Sequence, residues 1–250
     1  MSVTFPTHSV HYILGAGLNA ARWRELPVGA VGVTAPGQGL RPRIDRPDMS
    51  RYADVLLEEM PGSFVLAGHS FGGMVAAAMA AKAPERCRAL ILIDTPLRTP
   101  TALIRWYAPW VAPIVTRFPG MRAIARTVGS RVENDALRPA FKELLLETAP
   151  GGLADTLIAV ARFDAQALLP RLTMPLLALR GARSLLTGGR YEAILRGACS
   201  HVEIETMDTG HMIPFDDSAG LQRKRRGLTR NAPAYTDFEC AKHRSTRWLL

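Results

Sequence analysis

Phe64-Val65-Leu66-Ala67-Gly68-His69-Ser70-Phe71-Gly72-Gly73-Met74-Val75-Ala76-Ala77-Ala78 is the stretch on which the rest of the chain is read. A short apolar run, suited to a buried strand, meets Gly-His-Ser-Phe-Gly and passes straight into an alanine-rich helix. Gly-x-Ser-x-Gly between a strand and a helix is the nucleophile-elbow pattern. A serine hydroxyl is a weak nucleophile unless it is exposed and held beside a base. The sharp turn lifts Ser70 clear of the strand, and Gly68 and Gly72 leave room where backbones approach closely. Five such residues recur by chance; their place between these two elements gives the motif its force. The competing reading is a structural turn with an incidental serine.

Outward from the elbow the chain alternates strand and helix. His11-Tyr12-Ile13-Leu14 reads as the first core strand and runs into Gly15-Ala16-Gly17-Leu18-Asn19. Ala30 to Thr34 reads as the second, followed by the Pro/Gly turn Ala35-Pro36-Gly37-Gln38-Gly39-Leu40. Met49 to Met60 has helical apolar spacing, with Ser50 as the expected N-cap. The elbow helix is expected to run to about Lys82 and to stop before Pro84. Ala89-Leu90-Ile91-Leu92-Ile93-Asp94 is a fourth buried strand, Pro175 to Gly181 a fifth and His201 to Thr206 a sixth, with a helix around Tyr191 to Arg196 between the last two. Near-continuous apolar strands separated by helices predict an α/β fold with a mostly parallel sheet of about six strands, covered by helices on both faces.

The rhythm breaks between about residues 96 and 165, where helices follow one another without a strand. Leu103, Trp106, Tyr107, Trp110, Val111, Ile114, Val115 and Phe118 form an apolar stripe at helical spacing. Ala136 to Thr148 and Leu153 to Arg162 read as two further helices. The segment is expected to be a helical cap inserted into the domain. Its stripe either packs as core or roofs an apolar pocket, and the two are compatible. Trp106 and Trp110 are the candidate substrate-binding residues of that cap.

At 250 residues, 48% apolar and 21% charged, the chain fits one globular domain with an insertion. Residues 1–10 lack a charged lead followed by an apolar core, so no signal peptide is read there. No apolar run approaches the roughly 20 residues needed to span a bilayer. Three widely spaced cysteines, Cys87, Cys199 and Cys240, suggest a reducing compartment, and the cytoplasm is the expected location. The net charge of +9 is concentrated at the end. From Gln222 onward, eight basic residues face Asp237 and Glu239 and account for six of the nine charges. The domain before it is only mildly basic, and nucleic acid is not expected as a partner. Gly15-Ala16-Gly17 lacks the later glycine and helix entry of a dinucleotide fingerprint, and no metal-ligand spacing is present. The expected chemistry uses neither cofactor nor metal.

Taken together, five pieces resemble the α/β-hydrolase superfamily, from His11 to about Leu221. They are the Gly-His-Ser-Phe-Gly elbow, Leu14-Gly15-Ala16-Gly17 after the first strand, Ala35-Pro36-Gly37-Gln38-Gly39, the apolar strand ending in Ile93-Asp94, and Thr209-Gly210-His211-Met212 after the last strand. The resemblance implies a Ser–acid–His triad in an acyl-transfer site. Ser70 would be the nucleophile and His211 the general base that takes its proton and later delivers it to the leaving group. His69 is expected to pack under the elbow. The oxyanion hole would be made by the backbone N–H groups of Phe71 and Ala16. The family often has His-Gly where this chain has Leu14-Gly15, which removes a bracing side chain but leaves the main-chain donor. The acid usually follows the penultimate strand, yet Arg180 to Thr187 contains no Asp or Glu. The family's alternative position, at the end of the strand after the elbow helix, carries Asp94, which is chosen here over a loop-capping role. Asp208 lies too close to His211 in sequence to orient it.

The implied activity is that of a serine hydrolase cleaving a carboxylic ester with an apolar moiety through an acyl-enzyme. Carbon–carbon or thioester hydrolysis on the same fold, or ligand binding without catalysis, are the alternatives. The implied partner is a small apolar acyl substrate; the oligomeric state is left open. The domain is expected to span residues 1–221. Residues 222–250 read as a basic, atypical and poorly ordered tail, because apolar periodicity is lost where a covering helix is expected. A solvated charged face, a nucleic-acid or membrane-surface tail and an ending altered by a change of reading frame are the three readings of that tail. The last of these predicts a poorly packed segment.

Overall fold

The computed structural model describes residues 10–26, 29–60, 62–98, 102–199 and 201–231, with the backbone alone at 102 and 225–231. Six strands form one sheet: β1 Val10–Ile13, β2 Ala30–Gly32, β3 Phe64–His69, β4 Cys87–Ile93, β5 Leu176–Gly181 and β6 Val202–Met207. Their order is β2-β1-β3-β4-β5-β6, and every pairing is parallel. The chain steps outward from β1 to β2, then returns to place β3 on the other side of β1. The carboxyl ends of β1 and β3 are therefore the point where the winding reverses, which is where open α/β sheets form a crevice.

The period-2 alternation divides the apolar side chains between two cores. Ile13, Leu66, Leu90, Leu92, Leu176 and Ala178 face one, covered by α1 (Met49–Glu59), α2 (Phe71–Lys82) and α7 (Tyr191–Ala198). Tyr12, Val65, Ile91, Ile93, Leu177 and Leu179 face the other. That second face is closed by the turn around Ala20 and Trp23, by α8 (Ile213–Asp216) with Phe215, and by Leu221. With both faces covered, the central strands need no polar side, and β3 is buried at all six positions. α2 is apolar all round for the same reason: it is sandwiched between the sheet and α1.

Among the described residues, the insertion between β4 and β5 holds four α-helices, α3 Ala102–Arg117, α4 Met121–Gly129, α5 Arg138–Leu146 and α6 Pro150–Arg162. α4 is one more than the sequence reading resolved, although Met121, Ile124, Ala125 and Val128 recur at helical spacing. Ala125, Phe141, Leu144 and Leu145 enter the second core, while Ala159 of α6 enters the first. The cap is thus anchored to both cores. A charged clamp adds to this: Arg43 donates Nε and Nη2 to the buried Asp155 carboxylate at 2.5 and 2.8 Å, tying the loop after β2 to α6.

Two local expectations are corrected. The cap of α1 is Asp48, whose carboxylate accepts from the Arg51 N–H at 2.9 Å; the helix starts two residues earlier than a cap at Ser50 would allow. The aromatic stripe of α3 does not turn inward. Trp106 and Trp110 are 73% and 72% exposed, and the buried side of the helix carries the small residues Ala112 and Thr116. Small side chains let α3 lie close against α6, so the bulky arc is left outside. Across residue 221/222 the backbone continues as α9, from Ser218 to Asn231. Arg, Lys, Gln and Leu are good helix formers, so a loss of apolar periodicity is not a loss of helix. Leu221 is buried in the second core and Lys224 pairs with Glu205 of β6. The rest of the expected tail, residues 232–250, lies outside the described residues.

Candidate active site

The elbow is held by contacts that only glycine permits. A Cβ on Gly68 would lie 2.3 Å from the Gly72 carbonyl oxygen, and one on Gly72 would lie 2.1 Å from the Ile13 carbonyl oxygen. The turn is therefore wedged between β3, α2 and the end of β1. Ser70, at its apex, adopts φ 54° and ψ −118°, a conformation that non-glycine residues seldom occupy. Its own N–H donates to the Ile93 carbonyl at 3.0 Å, which fixes the apex to β4.

The three side chains predicted as the triad form one hydrogen-bonded chain. Ser70 Oγ is 3.1 Å from His211 Nε2, and His211 Nδ1 is 2.6 Å from Asp94 Oδ2. They come from three separate carboxyl-edge loops, after β3, β6 and β4. Asp94 is fully buried, in a left-handed backbone conformation of φ 39°. Its Oδ2 also accepts from Ser184 Oγ at 2.5 Å, and its Oδ1 accepts from Thr187 Oγ1 at 2.6 Å and from the Gly181 N–H at 2.9 Å. Burial pushes the carboxyl pKa up, but the hydrogen bonds from His211, Ser184, Thr187 and Gly181 outweigh it and hold the group below the usual carboxylate range.

Sequence reasoning did not anticipate Ser184 and Thr187. They lie in the segment after β5 where the acid is usually found. Here that loop supplies donors to an acid contributed by β4. Two hydroxyl residues in a loop without a carboxylate were the available signal.

His69 lies beneath the triad. Its Nε2 is 2.9 Å from the His211 carbonyl oxygen, and the two rings stand 4.9 Å apart. Burial, and then the neighbouring His211, lower its pKa well below the ordinary value of 6.5. A neutral His69 with its proton on Nε2 donates to that carbonyl and so braces the His211 loop. A second brace comes from the cap. Arg183 donates to Glu133 at 2.7 and 3.1 Å and to the Asp208 carbonyl at 2.7 Å, while Asp216 accepts from the Glu133 N–H at 2.7 Å. Asp208 itself pairs with Arg183 and points away into solvent.

The Gly15–Gly17 loop lies against the elbow. A Cβ on Gly15 would be 3.1 Å from His69 Nδ1 and 3.6 Å from the Ser70 Cβ. Ala16, next in the chain, faces an apolar cavity of about 410 Å³ between the sheet edge and the cap. Ile124 and Val128 of α4, Leu145 of α5 and Leu153 and Leu157 of α6 line it with Val115. Phe71 is the first residue of α2, so its N–H belongs to the helix's first turn, which has no intrahelical acceptor. Trp106 and Trp110, the expected substrate-binding residues, do not line this cavity; both lie on the outward face of α3.

A six-stranded parallel sheet, an elbow at its winding reversal and a four-helix cap define an α/β-hydrolase architecture. The chain belongs to the alpha/beta hydrolase family, whose model matches residues 7–222. Among curated relatives, the pimeloyl-[acyl-carrier protein] methyl ester esterase of Chromobacterium violaceum is 29% identical over 169 residues, covering 62% of this chain and 65% of that protein. An esterase of Mycobacterium tuberculosis is 34% identical over 109 residues, covering 38% of this chain and 35% of its own. The match thus spans less than two thirds of the length of these relatives. Among solved structures, a thermophilic esterase from Thermogutta terrifontis superposes with a TM-score of 0.76 at 26% identity, over 89% of each chain.

Proposed function

We propose that the protein is a serine hydrolase that cleaves a carboxylic ester bearing an apolar acyl group. The observation that carries this reading is the continuous Ser70–His211–Asp94 hydrogen-bonded chain, with an apolar cavity that reaches Ala16, the neighbour of the Gly15 packed against the elbow. His211 Nε2 takes the Ser70 proton as Oγ attacks the ester carbonyl. The ionised Asp94 keeps the other ring proton on Nδ1 and stabilises the imidazolium that forms. Negative charge growing on the carbonyl oxygen is met by the N–H groups of Phe71 and Ala16. His211 then protonates the departing alkoxide, and the acyl group remains on Ser70. Water, deprotonated by the same ring, releases the acid.

The acyl chain is taken by the cavity under the cap. Its walls carry no charged side chain and, Thr127 apart, are apolar, and about 410 Å³ sits in the lower part of the roughly 300–1,000 Å³ range of small-molecule pockets. The esterase names of the relatives support the ester as the bond cleaved. The buried free thiols of Cys87 and Cys199 support a reducing, cytoplasmic setting. The test is turnover of short p-nitrophenyl esters with a burst of one equivalent. Ser70→Ala is expected to abolish the burst and reduce kcat by about 10⁴-fold or more. Turnover that survives in Ser70→Ala overturns the proposal.

A further inference from the structure

α3 carries a feature that the hydrolase chemistry does not use. Leu103, Trp106, Tyr107, Trp110 and Ile114, with Phe118 just past its end, are each more than half exposed. At about 100° per residue all six fall within one half of the helix circumference. Their combined exposed area is on the order of several hundred Å², at or above the largest patch of an ordinary monomer.

Along the chain, the charges of this segment have one sign. From Thr95 to Val132 the sequence contains six arginines and no Asp or Glu. Arg117 lies within the apolar arc of α3, and Arg122, Arg126 and Arg131 follow it in the chain; all four are exposed, and among the described residues none of them pairs with a carboxylate. A second copy docked symmetrically on this face would bring two acid-free arginine clusters together. An acidic protein would satisfy the arginines but would leave bulky apolar side chains against a polar surface. An anionic bilayer satisfies both, with Trp and Tyr at the headgroup level, aliphatic side chains below it and arginines on the phosphates. The helix cannot cross instead: 16 residues span roughly 24 Å, less than the roughly 30 Å hydrocarbon core. Its apolar arc also continues inward, because Val115 lines the cavity that reaches Ala16, the neighbour of the Gly15 packed against the elbow.

We propose that the outer face of α3 docks the protein in the plane of an anionic lipid surface, so that its cap cavity opens toward lipid-dissolved esters. The second half of that statement rests on the hydrolase reading; the docking does not.

The experiment uses the full chain with vesicles of phosphatidylcholine alone and of phosphatidylcholine containing phosphatidylglycerol. Co-sedimentation is expected with the anionic vesicles, weakening with salt, together with a blue shift of tryptophan emission. Trp106→Asp/Trp110→Asp is expected to lower partitioning about tenfold or more, with the melting temperature and the turnover of a water-soluble ester unchanged. Arg117→Gln/Arg122→Gln is expected to reduce the preference for anionic over neutral vesicles. Ser70→Ala is expected to bind vesicles like the wild type, which separates failure of docking from failure of the hydrolase reading. The proposal is overturned by absence of co-sedimentation with anionic vesicles, or by binding indifferent to the tryptophan pair. It is also overturned by a tryptophan-dependent dimer in sedimentation velocity, or by displacement from vesicles by an acidic polypeptide with no emission shift.

Discussion

Replacing Asp94 by Asn tests the acid assignment with little disturbance to the fold. Position 94 has φ 39°, a region that Asn enters readily, so the backbone is not penalised. The amide oxygen can continue to accept from Thr187 and the Gly181 N–H. The amide nitrogen then takes the place of Oδ2, 2.6 Å from His211 Nδ1. An N–H facing Nδ1 forces the ring proton onto Nε2, where it points at Ser70 Oγ and blocks proton abstraction. A wrong tautomer of this kind lowers kcat by about 10⁴-fold, or about 5.5 kcal/mol at about 1.4 kcal/mol per decade. KM is expected to change little, because no substrate contact is lost. Burst and steady-state kinetics with p-nitrophenyl acetate, alongside circular dichroism melting, measure both. Asp208→Asn is the control: its carboxylate is 93% exposed, and kcat is expected to stay within about threefold. A folded Asp94→Asn protein retaining more than about a tenth of wild-type kcat would falsify the assignment, as would an equal loss in Asp208→Asn.

Acid stability depends on His69. Its pKa is lowered on folding from 6.5, so below that pH the unfolded chain binds a proton that the native state refuses. The contribution is complete above about pH 6.5 and is lost as pH falls, at a limiting slope of about 1.4 kcal/mol per pH unit. Asp94, lowered from 3.8, acts in the same direction at lower pH, and Asp216, which burial raises from 3.8, acts in the opposite direction, so the part due to His69 is read as the difference from His69→Gln between pH 6.5 and 4. Denaturant unfolding of His69→Gln is expected to show a flatter acid limb there; an unchanged slope would contradict the buried neutral ring. Gly72→Ala places a Cβ 2.1 Å from the Ile13 carbonyl oxygen, a backbone atom that cannot turn aside, and is expected to destabilise by about 3 kcal/mol or more in thermal melts. Leu153→Trp fills part of the cap cavity. It should lower kcat/KM for a p-nitrophenyl hexanoate about tenfold while leaving the acetate within about twofold; equal effects on both would place the acyl chain elsewhere.

The sequence by itself was enough for the sheet, the elbow and the order of the site loops. Continuous apolar strands and a glycine-flanked serine are dictated by local sterics and burial, and both are written at fixed spacing. It also pointed to Ser70, His211 and Asp94, although the acid came from its position at the end of an apolar strand and not from any local motif. Only the tertiary structure decided what surrounds Asp94. Ser184 and Thr187 stand 90 and 93 positions away, and their hydroxyls meet the carboxylate because β4 and β5 are neighbours in the sheet. The outward face of α3 was likewise beyond periodicity. An apolar stripe states that one side of a helix is apolar, but close packing of Ala112 and Thr116 against α6 determines which side is buried.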